Sequence, residues 1–270
     1  MFRIDHGSPR KLWVPIDRTV GATTLYEGQL CKMDSGSFDG AAPLAAASGA
    51  ADTTGHQVIW GAVCGTNYKS PVFAATYGQY AASVASQADQ VATVKLGVEG
   101  MHPKGDPRPM VEVSKLNAST VLRGDICNAT QGVAPTVVTV TTGSTTGAGM
   151  TTGAIDFTNV ANMSTFYCRS GANKGIYRVS KTTSTTVHTF DTYWPYDIAV
   201  GDTFVAVPMR QGQSYVQINE TSGYLGTCFS CAASPATDYF LIDVLELDLR
   251  EAGKETVLFT FNPIHLCEAR

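Results

Sequence analysis

Leu25-Tyr26-Glu27-Gly28-Gln29-Leu30-Cys31-Lys32-Met33-Asp34 sets a pattern that the rest of the chain repeats. A glycine turn at Glu27-Gly28 runs straight into a short segment in which Leu30 and Met33 are apolar and Gln29, Lys32 and Asp34 are polar. Glycine relaxes the backbone at the turn, and the segment after it buries one face as a strand. The device recurs at Arg123-Gly124-Asp125-Ile126-Cys127 and at Val200-Gly201-Asp202-Thr203-Phe204-Val205. A chain that repeatedly turns at Gly-Gln or Gly-Asp and drops into a strand predicts short antiparallel strands.

Further strands are predicted on either side of these starts. Gln57 to Asn67 places Val58, Trp60, Ala62 and Cys64 on one face. Ala92 to Val98, Pro109 to Ser114 and Thr120 to Asn128 are strand-like. Tyr80 to Val91 is the exception. Tyr80, Val84, Ala88 and Val91 share a helical face, so an Ala-rich helix is expected there. Residues 35–56 are loop-like and simple in composition. From Gly132 the composition shifts to Thr, Val and Gly, and residues 133–207 read as a small β module of their own. Near the end, Leu245, Leu247 and Leu249 alternate with charged residues, Glu251 to Glu255 turn, and Val257, Phe259 and Phe261 alternate back. That is a hairpin with one apolar face. The expected fold is mainly β: a barrel-like or sandwich domain from 21–132 and 208–270, an inserted β module at 133–207, and an extended N-terminal arm at 1–20.

Composition narrows the function. Charged residues make up only 16% of the 270 positions, against a usual level of about 25%. Such a surface suits packing against neighbours. The net charge of −4 argues against a nucleic-acid partner, which selects a basic face. No apolar run approaches the roughly 18 residues of a membrane span, and Met1 to His6 lacks an apolar signal core. The expectation is synthesis in a cytoplasm, with no export by that route and no membrane partner. Seven cysteines at 31, 64, 127, 168, 228, 231 and 267 are widely spaced. Cys31, Cys64 and Cys127 lie in apolar runs and are expected to be buried thiols. Cys228-Phe229-Ser230-Cys231 is a single pair with no second ligand pair nearby, so no metal is expected.

Motifs with a chemical precedent each have a plainer reading. Gly147-Ala148-Gly149-Met150-Thr151-Thr152-Gly153 lacks the Gly-Lys-Ser/Thr ending of a phosphate loop. The histidines at 6, 56, 102, 188 and 265 are scattered and read as surface or packed residues. No nucleophile elbow or His-Glu-x-x-His occurs. Arg123-Gly124-Asp125 matches an integrin-type tripeptide but reads as a strand start. Asn117, Asn128, Asn162 and Asn219 head glycosylation acceptor triplets, which mean little without a secretory signal. Tyr193-Trp194-Pro195-Tyr196 is a compact aromatic cluster, with packing as the favoured reading and sugar stacking as the alternative. No cofactor and no enzyme activity is expected.

The pattern of residues 25–67 resembles the capsid decoration (cement) proteins of tailed bacteriophages. The resemblance rests on the strand start Glu27-Gly28-Gln29-Leu30-Cys31, the Ala/Gly-rich loop after it, the short strand Ile59-Trp60-Gly61-Ala62-Val63, and the second start at Arg123 to Cys127. It covers about half of the chain. It implies a β-rich, non-enzymatic structural virion protein on the capsid exterior, with the major capsid protein as partner and self-association as trimers at three-fold positions of the lattice. The alternatives are a tail or fibre component and a carbohydrate-binding module that uses Tyr193, Trp194 and Tyr196. On this reading the arm touches the shell. Arg3, Arg10, Lys11 and Arg18 outweigh Asp5 and Asp17, and Phe2 and Trp13 are its large anchors. Pro9 and Pro15 exclude a regular helix there.

Overall fold

A computed structural model of the chain describes residues 3–7, 9–15, 23–25, 30–33, 41–43, 59–66, 80–82, 110–127, 134–155, 164–220, 227–230 and 240–266. The fold is mainly β, with a single short 3₁₀ turn at Pro263–His265 among the described residues. The chain divides into two units. One comprises Met1–Leu122, Glu220–Thr227 and Phe261–Arg270, and the other Arg123–Asn219 and Cys228–Thr260. Residues 133–207 fall inside the second unit.

The first unit holds β1 (Arg3–His6), β2 (Lys11–Pro15), β3 (Thr23–Leu25), β4 (Leu30–Met33), β5 (Ala41–Pro43), β6 (Gly61–Thr66), β7 (Tyr80–Ala82) and β8 (Met110–Lys115). Five of them form one sheet in the order β2-β8-β6-β4-β5. The Leu30 strand start and the Trp60 segment meet in it, with Leu30 paired to Ala62 and Cys31 to Gly61. Leu30, Cys31, Ile59, Trp60, Val63 and Val113 are all buried. Burial on both sides of the Ile59-to-Val63 run departs from the one-faced strand expected there. Gly61 is required where it stands. A Cβ on it would lie 2.4 Å from Val113 Cγ1 and 2.5 Å from the Ser114 carbonyl.

Further expectations change in this unit. Ala41–Pro43, within the segment 35–56 read as loop-like, is a strand paired with β4. Tyr80–Ala82 is a strand rather than the start of a helix. Pairing with Thr23–Leu25 satisfies its backbone, and long-range pairing overrides the weak helical preference of an Ala-rich segment. The rest of the expected helix, 83–91, lies outside the described residues, as does the expected strand at 92–98. The expected arm is tied down over Lys11–Pro15, which runs antiparallel to β8 from Lys11↔Ser114 to Pro15↔Met110.

The second unit holds β9 (Val121–Cys127), β10 (Val137–Thr142), β11 (Gly149–Thr152), β12 (Thr165–Cys168), β13 (Tyr177–Val179), β14 (Thr182–Thr183), β15 (Val187–Thr189), β16 (Thr203–Val207), β17 (Gly212–Glu220), β18 (Thr227–Ser230), β19 (Phe240–Asp248) and β20 (Thr256–Phe261). Pairings run β9-β18-β17-β19-β20, and β20 pairs back onto β9, so five strands form a barrel-like ring. The Thr/Val block forms a seven-stranded sheet in the order β13-β12-β16-β10-β11-β15-β14.

The hairpin has a different buried set from the one expected. In β20, Val257, Phe259 and Phe261 are buried as predicted. In β19 the buried residues are Phe240, Ile242 and Val244, while Leu245 is exposed and Leu249 is buried beyond the strand end. The Leu/Glu alternation has the period of a strand, but period alone leaves open which face the sheet covers. The Gly201-Asp202 start behaves as expected, with Gly201 at φ +96° immediately before β16. Gly124-Asp125 does not, because both residues lie inside β9 with Asp125 opposite Cys228. Glycine inside a strand weakens it but admits a close neighbour, so a Gly-Asp pair alone does not mark a turn. Cys127 is disulfide-bonded rather than a free thiol. Its partner is one of Cys228, Cys231 and Cys267, because Cys31, Cys64 and Cys168 are free.

The central strands β12 and β16 are buried along almost their whole length, and the register explains why. Phe166 lies opposite Ala206, and Cys168 opposite Phe204. That face carries an aromatic cluster in which Phe166, Phe190, Trp194 and Phe204 meet edge to face. The other face carries Tyr167, Val205 and Arg169. There Tyr167 stacks near Tyr177 at 4.6 Å, the Tyr177 hydroxyl accepts from the Leu249 amide at 3.0 Å, and Arg169 Nη2 donates to the Leu249 carbonyl at 2.7 Å and to Glu255 Oε1 at 2.6 Å. The Glu255 side chain is 1% exposed, and its backbone carbonyl accepts from the Ile126 amide. One ion pair therefore ties the seven-stranded sheet to the hairpin turn and, through Glu255, to β9. Removing one charge strands the other in the interior, so we predict that Glu255→Ala destabilises the protein by about 3–5 kcal/mol. Arg169→Met with Glu255→Leu should recover most of that loss. Denaturant melts of the single and double variants measure both.

Candidate functional site

Residues 191–202 form the most built surface loop of the second unit. Trp194 is buried in the aromatic cluster and pins the loop from below. Asn173, itself fully buried, holds the far side: its Nδ2 donates to the carbonyls of Tyr196 at 3.0 Å and Asp197 at 3.2 Å, and its Oδ1 accepts from the Tyr196 amide at 3.1 Å. Arg178 Nε donates to the Tyr193 carbonyl at 3.1 Å, and its guanidinium lies 5.8 Å from the Trp194 ring centroid. Asp202 closes the loop by accepting from the Ala199 amide at 2.9 Å. Asp202 also packs onto Gly171, where a Cβ would lie 2.0 Å from Oδ1, so position 171 must be glycine on two grounds, this and its φ of +85°.

The pinned backbone presents Tyr193 and Tyr196, 57% and 59% exposed, with Val200 beyond them. Asp191 and Asp197 are exposed alongside, Asp191 paired with Lys181 at 3.0 Å. Large, rigid, half-apolar side chains on a fixed loop are what dominates interface energetics. The sequence marked this cluster but not its division. Trp194, one of the three residues named for sugar stacking, is interior, and the two tyrosines face outward. Trp194 Nε1 has no hydrogen-bond partner among the described residues.

Beneath the loop, His188 is fully buried and lies 4.7 Å from Phe166, ring to ring. The Thr152 hydroxyl donates to the Gly153 carbonyl at 2.7 Å, so it accepts from His188 Nε2 at 2.9 Å. That fixes the proton on Nε2, and Nδ1 is left without a partner among the described residues. Burial holds its pKa down at about 4. It is a neutral packing residue, as the scattered histidines were expected to be. The Gly147-to-Gly153 segment is structural too: Gly147, at φ +67°, lets the Trp194 backbone approach, and Gly149–Thr152 is a strand.

The other marked residues are dispersed. Arg10 and Lys11 are exposed at the start of β2. The Arg10 carbonyl accepts from the Lys115 amide at 2.9 Å, and Lys11 Nζ lies 3.5 Å from Glu112 Oε2. Arg3 and Trp13 are placed in β1 and β2 by their backbones, while Phe2 and Arg18 lie outside the described residues. Cys64 donates to Glu112, and its pKa is raised mainly by burial. Among the described residues no three His, Cys, Asp or Glu side chains are grouped closely enough to hold a metal ion, and no helix is long and apolar enough to cross a membrane. No protein-family profile matches this chain, and no curated protein or solved structure matches it either.

Two outcomes follow from this geometry. Asn173→Ala removes its three hydrogen bonds to the loop. It should cost about 1–3 kcal/mol and speed hydrogen exchange at the Tyr196 amide, measured by NMR. His188 gives a pH signature. An unfolded histidine takes up a proton near pH 6.5 and the buried one only near 4, so the unfolded chain binds more protons across that window. Stability therefore falls as pH drops from 6.5 to 4, by about 3 kcal/mol in all from this group. Denaturant melts of His188→Gln at both ends of the window should lack that component.

Proposed function

We propose that this chain is a non-enzymatic structural virion protein that binds the outer capsid lattice of a tailed bacteriophage and stabilises it by bridging major capsid subunits. The observation that carries the reading is the rigid loop of the second unit, which holds Tyr193 and Tyr196 outward on a low-charge, mainly β body. Lattice binding needs many modest contacts from surfaces that are ordered beforehand, because ordering them on docking would consume the binding energy. The basic start of β2, Arg10 and Lys11, offers a charged complement to an acidic shell. The disulfide at Cys127 suits a particle that leaves the cell. Self-association and a three-fold arrangement belong to the same proposal, as does placement on the capsid exterior.

A carbohydrate-binding reading is kept because Tyr193 and Tyr196 stand beside the exposed carboxylates of Asp191 and Asp197, a set that could stack on and hydrogen-bond a sugar ring. A tail or fibre component is separated by copy number: hundreds of copies per particle for a shell protein, and far fewer for a tail part. For the capsid reading, Tyr193→Ala with Tyr196→Ala should stay folded and bind purified shells at least about tenfold more weakly. Arg10→Glu should weaken binding further and flatten its salt dependence. Cosedimentation with shells across a salt series measures both. A double variant that binds shells normally but loses a glycan ligand would favour the sugar reading.

A further inference from the structure

We infer that the open edge of β2 pairs with the same edge of a second copy of this chain, as an antiparallel two-fold contact centred on Trp13. The inference stands whether or not the chain binds capsids. It rests on the phase of the hydrogen-bond ladder. The Lys115 amide donates to the Arg10 carbonyl, and the Leu116 amide donates to the Trp60 carbonyl. Odd-numbered residues of β8 therefore bond toward β2, and even-numbered ones toward β6. Arg10 and Lys115 face each other as a hydrogen-bonded pair, because the register Lys11↔Ser114 and Leu12↔Val113 continues back to them. In an antiparallel ladder such pairs alternate with open ones. Leu12 and Val14 thus bond to β8, and Lys11, Trp13 and Pro15 direct their backbone groups away from it.

Among the described strands, none pairs with that outer side, because β2 ends the sheet. The position of Pro15 agrees. Proline lacks an N–H and is confined to places where the ladder does not need one, and Pro15 sits in the outward phase. The outer edge therefore offers N–H groups at Lys11 and Trp13 and carbonyls at Lys11, Trp13 and Pro15. An unpaired edge of this kind is a template for another strand.

The edge is self-complementary. Placed antiparallel about Trp13, the two copies exchange both Trp13 bonds. At each end the Lys11 N–H of one copy meets the Pro15 carbonyl of the other. The missing proline N–H falls opposite only the Lys11 carbonyl, at the margin where water reaches it. Each Lys11 lies across from a proline rather than from the other lysine, so the register avoids like-charge repulsion, and each retains its own Glu112. Pairing with a second copy thus matches every outward N–H of the edge and leaves only the two Lys11 carbonyls, at the margins of the seam, to water. Pairing joins two five-stranded sheets into one continuous sheet of β5-β4-β6-β8-β2 and its mirror order.

Two measurements on the intact chain test this. Sedimentation velocity across a wide concentration range should show even-numbered assemblies: a dimer, or a hexamer where trimers also form. Lys11→Pro removes an outward donor from each copy without touching the β8 ladder, and should raise the dimer dissociation constant about tenfold or more. Hydrogen exchange read by NMR needs no variant. The Leu12 and Val14 amides should be protected at every concentration, and the Trp13 amide only when the chain is concentrated. A Trp13 exchange rate that does not change with concentration, a chain that stays monomeric or purely trimeric, or a folded Lys11→Pro variant that dimerises as before would overturn the pairing.

Discussion

The contact between Arg169 and Glu255 sets the terms for the second unit. Glu255 is out of water and Arg169 largely so, and one guanidinium nitrogen serves a carboxylate at 2.6 Å and a backbone carbonyl at 2.7 Å. Taking two charges into the interior is costly, and their attraction offsets this only when the geometry is close and the remaining atoms are satisfied. Satisfaction here is partial, since Arg169 Nε and Glu255 Oε2 have no partner among the described residues. The pair is therefore better understood as a device for register than as a source of net stability. It places the β12–β16 strands, the hairpin turn and β9 in one arrangement, where apolar packing alone would tolerate sliding.

What that arrangement releases is the opposite face of the same sheet. With Tyr167, Val205 and Arg169 committed to the hairpin side, Phe166 and Phe204 are free to build the aromatic cluster with Phe190 and Trp194. Trp194 in the cluster and Asn173 at Tyr196 and Asp197 fix the middle of the loop, and Asp202 closes its end. The backbone that carries the two exposed tyrosines is thus held by packing on the far side of the loop. A surface ordered in this way loses little conformational entropy when it binds, the condition for a contact of modest area to hold.

The first unit follows a different logic. Its five-stranded sheet places the basic start of the chain on an edge strand, so the segment most suited to touching a neighbour is also part of the chain's own sheet. Removing it would damage that sheet. Edge strands are normally guarded by charges and prolines, and Lys11 and Pro15 stand at the two ends of this one. Such guards limit unregulated growth while leaving room for one matched partner.

The class of fold and the positions of many strands were legible in the sequence, because the period of two, the Thr/Val enrichment and glycine turns such as Gly201 are written locally and act through near neighbours. It also marked the Tyr193-to-Tyr196 cluster and the apolar face of β20. Long-range contacts fix which face of β19 is covered, that Gly124 lies inside a strand, that Tyr80–Ala82 pairs with Thr23–Leu25, and that Trp194 turns inward while its two tyrosine neighbours turn outward. Each of these depends on a partner far away in the chain: Arg169 meets Glu255 across 86 positions, and Asn173 reaches Tyr196 across 23. Periodicity states that a face will be buried. Which segment buries it is fixed only when the strands have found their register.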